Sequence, residues 1–272
     1  ERRSRFMLAI LATLLPHAFS AAGDALRLAL QAELDLIAAE HAHPLPLALG
    51  LGWASADASF GLASGTVPAV DGSPARPATV SDTFLFGSGT KPFTSVAVLR
   101  LAEAGALSLD DLAATHVDPL LWSANGTSLC QLFGPLAASV TVRHLLTMQS
   151  GLADFDTPAL DAAILDAPPT VSWSPYALLR AAAATAMPRV HFVPGSRVEY
   201  SSTNFILAGL ILLAHSPTAA GDWQRLDMHP FVFPPPLRAK YSAVGFVNDQ
   251  LIREAGATVA GQSGMGQRAG RG

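Results

Sequence analysis

A chain of 272 residues, half of them apolar and 14% charged, is long enough for a large core, and its 22 glycines and 20 prolines are spread along it without a low-complexity block. A net charge of −4 with no basic run lacks the cationic footprint of a protein that grips polyphosphate backbones, so nucleic acid is not an expected partner. The single cysteine, Cys130, excludes an internal disulfide and multi-cysteine zinc sites and reads as a small buried hydrophobe.

Arg2, Arg3 and Arg5 precede an apolar run from Phe6 to Leu15, followed by Pro16 and the small residues around Ser20, Ala21 and Ala22. That order fits a secretory leader over residues 1–20 better than a span, which needs about 20 apolar residues. An uncleaved N-terminal anchor is the alternative. Export is therefore expected, with no membrane span beyond that segment. Asn125-Gly126-Thr127 is a glycosylation acceptor of the kind found in exported eukaryotic proteins.

From Asp24 to His41, Leu26, Leu28, Leu30, Leu34 and Ile37 form an apolar stripe at helical spacing, with Asp24 as its cap and a sheet as its expected support. Two short apolar runs, 45–54 and 58–63, joined by Ser55-Ala56-Asp57, predict a hairpin. Val67 to Val80 reads as a loop, and Thr83 to Phe86 as a brief strand. From Thr90 to Ala104 apolar residues fall on nearly every side, which predicts a buried, central helix. Further helices are expected at 141–148, at 174–187 with Pro175 in the first turn, and at 203–215. Beyond Ser216 the periodicity fades; Phe233-Pro234-Pro235-Pro236 and the Gly-rich stretch 261–272 read as loops.

The chemistry concentrates at Phe86-Gly87-Ser88-Gly89-Thr90-Lys91. Residues three apart share one helical face, so the Lys91 amine can reach the Ser88 hydroxyl, and burial of such an amine favours its neutral, proton-accepting form. The positive end of the helix favours negative charge growing on Ser88. Only Lys91 and Lys240 are lysines among 17 basic residues, which makes the pairing less easily met by chance. Alone, the same residues also fit an N-cap serine followed by a first-turn cation.

Three further stretches occur in order: Leu101-Ala102-Glu103-Ala104-Gly105-Ala106-Leu107-Ser108-Leu109-Asp110-Asp111, then Val140 to Leu152 ending in Gln149-Ser150-Gly151-Leu152, then Val193-Pro194-Gly195-Ser196-Arg197-Val198-Glu199-Tyr200-Ser201-Ser202-Thr203-Asn204-Phe205. Together with the Ser88 segment they resemble the β-lactamase-related family of class C β-lactamases, D-alanyl-D-alanine peptidases and esterases. The resemblance is strongest over residues 45–213 of a domain running from 24 to 272. It implies a two-lobed α/β (α+β) fold, an antiparallel sheet with flanking helices beside a helical lobe. It also implies an acyl-serine mechanism without a cofactor. Ser88 would be the nucleophile, Lys91 and Tyr200 would share proton transfer, and the acyl donor would be a β-lactam, a D-Ala-D-Ala peptide or a small ester.

The family's Tyr-x-Asn has Ser202 at its third position here, so Ser202 is the expected substrate-binding group, shorter than the asparagine it replaces. The family's last motif, Lys-Thr-Gly or His-x-Gly on a late strand, has no counterpart; Gln262-Ser263-Gly264 follows Tyr200 too closely and carries no charge. An incomplete sheet and poor catalysis by this length of chain are expected on that ground. A family relative without catalysis, serving as a binding or structural module, is the alternative.

His144 lies in an apolar stretch and reads as a structural histidine in preference to a general base. Asp110 and Asp111 read as helix-start acids. The eight histidines form no H-E-x-x-H arrangement, so no metal site is expected.

Overall fold

The computed structural model describes residues 23–42, 46–56, 58–69, 73–82, 87–168, 171, 173–185 and 187–238. The leader, the strand expected at 83–86 and Gln262-Ser263-Gly264 lie outside the described residues. The described chain divides into two compact units, one ending at Asp82 and one starting at Gly87.

The first unit is a helix on a small sheet. Helix α1 covers residues 23–40. Strands β1 (Ala48–Ala54), β2 (Ser59–Val67) and β3 (Arg76–Pro77) form an antiparallel sheet in that order, with Leu51 opposite Leu62. The hairpin closes where Ser55 N donates to Ala58 O at 2.8 Å and Ala58 N donates to Ser55 Oγ at 3.1 Å.

Helix α1 meets β2 through Ala38, which packs beside Gly65, and through Gln31 Nε2, which donates to Ala63 O at 3.1 Å; Leu34 and Ala38 are both buried. Leu28 and Ile37, expected in the stripe, are exposed; the covered line runs along every fourth residue through half-buried Leu30 and buried Leu34 and Ala38. Asp24 is not the cap, because the helix already includes residue 23; its carboxylate instead lies 3.9 Å from the Arg27 guanidinium.

The segment expected to be wholly loop contributes β3, where Arg76 and Pro77 pair with Val67 and Thr66. Arg76 forms an ion pair with Asp82, and Thr79 N donates to the same carboxylate at 2.7 Å, so Asp82 is held well below the usual carboxylate range.

The second unit is helical. Its helices are α2 (Lys91–Glu103), α3 (Ala113–Asn125), α4 (Leu129–Phe133), α5 (Val142–Leu146), α6 (Pro158–Asp166), α7 (Pro175–Thr185), α8 (Thr203–Ala214), α9 (His229–Val232) and α10 (Pro235–Arg238). Short 3₁₀ turns occur at Gly87–Thr90, Pro135–Ser139 and Trp223–Arg225.

The centre of this unit is α8, not α2. Leu207, Leu210, Ile211, Leu212 and Leu213 are all fully buried, and α2, α3, α5 and α7 pack around them. Full burial of one such side chain is worth roughly 1.5–3 kcal/mol, so this run is a large part of the core.

Helix α2 corrects the expectation of all-round burial. Thr94, Ala97 and Val98 are buried on the side that meets α8 and α9, whereas Val96 is 42% and Leu99 45% exposed. Residues advance by about 100° around a helix, which puts 96 and 99 opposite the 94, 97, 98 face. Arg100 fastens the packed side by donating to the carbonyls of Phe231 and Val232 at 3.1 and 3.0 Å. No helix among the described residues is long and apolar enough to cross a membrane.

Candidate active site

Ser88 sits in the 3₁₀ turn that leads into α2, and Lys91 is the first residue of the helix, followed by Pro92. Gly87 enters this turn at φ 52°, a left-handed conformation that glycine adopts without steric cost. The Lys91 Nζ donates to Ser88 Oγ at 2.7 Å. Ser88 is exposed and Lys91 half-buried, with its Nζ 5.1 Å from the Tyr200 ring centre and 5.8 Å from that of Phe205.

Tyr200 arrives from far along the chain, 112 residues after Ser88, and its phenol oxygen lies 2.8 Å from Ser88 Oγ. Two irregular segments hold it. Residues 148–153 and 189–199 are joined by bonds from Ala153 N to Arg189 O, His191 N to Gly151 O, Gly195 N to Gln149 O and Glu199 N to Met148 O, all of 2.8–3.0 Å.

The glycines in these segments are required by their surroundings. Gly151 has φ 73°, and a Cβ there would lie 2.6 Å from Phe192 O; Gly195 has φ 85°, and a Cβ would lie 2.9 Å from His144 Nε2. The Ser-Gly-Leu and Pro-Gly turns therefore form one frame that ends at Tyr200.

The residues after Tyr200 are tied to the same frame. Ser202 N donates to Asp154 Oδ1 at 2.9 Å. Thr203 Oγ1 donates to Ala153 O at 2.8 Å and accepts from Phe155 N at 3.1 Å. Asp154, Thr203 and Phe205 were not singled out from the sequence. Asp154 follows directly on Ser150-Gly151-Leu152-Ala153, but its partner is 48 residues away and nothing local announces it.

The surroundings of Tyr200 make its phenol easier to ionise than a free one. Hydrogen bonds from Lys91 first, then from Ser202 and Ser88, hold Tyr200 below its ordinary value against a small opposing effect of burial. The Ser202 hydroxyl contact to the Tyr200 oxygen is 3.5 Å. Tyr200 is 55% exposed, so water screens these interactions substantially.

Asn204 does not take the place of the family asparagine. Its side chain is buried, and its Nδ2 donates to Ser201 O at 3.0 Å and toward Met148 Sδ at 3.3 Å.

His144 has a structural task. Its Nδ1 accepts from Thr141 N at 3.3 Å while its own N donates to Thr141 Oγ1 at 3.2 Å, a reciprocal cap on α5. Burial, then the Arg143 charge, push its imidazole below the ordinary value. Asp110 pairs with Arg143 at 2.9 Å, and Asp111 accepts from Ser108 N at 2.8 Å and lies 3.3 Å from His116 Nε2. No group of three or more metal-ligating side chains occurs among the described residues.

The Beta-lactamase family model matches residues 57–226. Among curated proteins the chain is similar to Protein flp of Staphylococcus aureus, strain MW2, at 31% identity over 125 residues, which is 46% of this chain and 22% of that protein. Protein flp of strain COL is 30% identical over the same length and shares. The chain thus matches about a fifth of the length of these relatives.

Among solved structures it is similar to a D-stereospecific amidohydrolase from Streptomyces sp., with TM-score 0.49 and 21% identity over 77% of this chain and 54% of that one. It is also similar to a penicillin binding protein from Bacillus halodurans, with TM-score 0.46 and 25% identity over 68% and 47% of the two chains.

Proposed function

We propose that this chain, which belongs to the Beta-lactamase family, is a serine hydrolase that opens an amide or ester through an acyl-Ser88 intermediate. The observation that carries the reading is the convergence of Ser88, Lys91 and Tyr200 from two distant parts of the chain within hydrogen-bond distance.

The order of donors suggests how the proton moves. Lys91 Nζ donates to Ser88 Oγ, which leaves the Ser88 hydrogen free to point at the Tyr200 oxygen. As Ser88 Oγ bonds to the acyl carbon, its proton passes to Tyr200, and Lys91 steadies the charge on both oxygens. Collapse of the tetrahedral adduct breaks the bond to the leaving nitrogen or oxygen, which takes the proton from Tyr200. Water then attacks the acyl-serine by the reverse path, giving the acid and free Ser88.

The substrate class we propose is a small-molecule or peptide acyl donor: a β-lactam, a D-Ala-D-Ala peptide or a small ester. Mass spectrometry after treatment with a fluorophosphonate or a penicillin tests the reading. One adduct on the Ser88 peptide, absent in Ser88→Ala, is the expected result. A label on another serine would overturn the role of Ser88, and none with either probe would overturn the hydrolase reading and leave a binding or structural module as the better account.

A further inference from the structure

Ser202 stands where the family resemblance places a substrate-contacting asparagine, and its surroundings point elsewhere. It is the N-cap residue of α8, where a serine ordinarily turns its oxygen onto the backbone N–H groups of the first turn. Here the N-cap backbone is helical, φ −64° and ψ −21°, and the hydroxyl makes no cap bond. The hydroxyl is directed at the Tyr200 oxygen instead, at 3.5 Å.

The residue is buried and its backbone is held in place. Ser202 is only 7% exposed, its N–H is held by Asp154, and its carbonyl accepts from Phe205 N and Ile206 N at 2.9 and 3.2 Å. A hydroxyl has a single hydrogen; once given to Tyr200 it is not available to a substrate carbonyl, whereas an asparagine amide has two.

We propose that Ser202 is a positioning residue that acts through Tyr200, donating its hydroxyl hydrogen to the phenol oxygen and so favouring the form of Tyr200 that accepts the Ser88 proton. The inference rests on the hydrolase reading for its catalytic meaning, but its physical content is separate. Among the described residues the charged groups near the pair are Lys91 from α2 by the Tyr200 ring, Asp154 at the Ser202 amide and, in the segment before Tyr200, Glu199 bound to Arg197 and His191. Besides these, the phenol oxygen has the Ser88 hydroxyl at 2.8 Å and the Ser202 hydroxyl at 3.5 Å.

The test is a spectrophotometric titration of tyrosinate absorbance in the full chain. With only Tyr176, Tyr200 and Tyr241 present, the difference between wild type and Tyr200→Phe isolates the Tyr200 step. Burial pushes Tyr176 upward, away from it.

At 3.5 Å the contact is longer than an ordinary O–H···O bond, so Ser202→Ala should raise the Tyr200 midpoint by up to about half a unit, and Ser202→Thr, which keeps the hydroxyl, should return it. Equal midpoints in wild type and Ser202→Ala, or a shift that Ser202→Thr reproduces, would overturn the proposal. Labelling of Ser88 is measured on the same samples. A shifted midpoint with no labelling would sink the hydrolase reading alone, and normal labelling with an unmoved midpoint would sink the Ser202 role alone.

Discussion

The imidazole of His144 forms the floor beneath Gly195: a Cβ on that glycine would lie 2.9 Å from Nε2, and the backbone there is left-handed at φ 85°. The ring cannot easily withdraw, because its Nδ1 accepts from Thr141 N. Gly195→Ala should therefore combine backbone strain with displacement of the turn that delivers Tyr200. A loss of roughly 1–3 kcal/mol in urea unfolding is expected. A slowing of Ser88 acylation by roughly 10- to 100-fold should accompany it. Unchanged stability and acylation would show that the turn does not fix the tyrosine.

Tyr200→Phe removes the oxygen facing Ser88 and keeps the ring over Lys91 Nζ. Loss of a positioned proton acceptor typically costs about 100- to 10,000-fold, and acylation of Ser88 by a fluorophosphonate should slow within that range. Thermal unfolding should be nearly unmoved, since Tyr200 is largely exposed. A rate within about twofold of wild type would assign the proton to another group.

Acid should destabilise the helical unit through its histidines. His144 and His215 are both held below the ordinary imidazole value, chiefly by burial and then by the neighbouring charges of Arg143 and His116 respectively. Below about pH 6.5 the unfolded chain takes up protons that the folded chain resists, so this stability is present above that pH and lost as pH falls toward the folded values. The urea midpoint should drop between about pH 7.5 and 5.5, and less steeply in His144→Asn, which keeps an acceptor for Thr141 N and removes one titration. Parallel pH profiles for the two proteins would refute the assignment.

The packing of α2 separates what was legible in the sequence from what was not. Its existence and its link to Ser88 follow from local spacing, but apolar residues on every side gave no way to choose the buried face; the choice belongs to α8 and α9. Leu99→Gln should change stability by less than about 0.5 kcal/mol, whereas Ala97→Leu, against a fully buried position, should cost roughly 1–3 kcal/mol. The reverse ranking in urea unfolding would restore the expectation of a helix buried on all sides.

Other omissions have similar causes. Helix α3 carries Pro119 in its interior, a residue that reads as a breaker, although Ala113, Val117 and Leu121 mark its buried line at every fourth position. Strand β3 is two residues long and exists only through Thr66 and Val67. At the site, Ser88 and Lys91 were legible from spacing. Tyr200 was reached through the family resemblance, and the direction of the Ser202 hydroxyl is a rotamer choice that no sequence pattern records.

Residues 1–20 are proposed to direct export. Fused to a reporter lacking its own leader, residues 1–25 should carry it out of the cytoplasm and be removed near Ala21 or Ala22. A reporter retained inside the cell would refute the leader, and one exported but still attached to the membrane would favour an anchor.

The frame that ends at Tyr200 separates two kinds of heritable change. Between Phe192 and Tyr200 the backbone is pinned at Gly195 and Glu199 by carbonyls of a neighbouring segment, while the side chains of Val193 and Val198 are 60% and 68% exposed. Side-chain replacements at Val193 and Val198 should therefore leave those backbone bonds intact, whereas a side chain at Gly151 or Gly195 would run into Phe192 O or His144 Nε2 and disturb them.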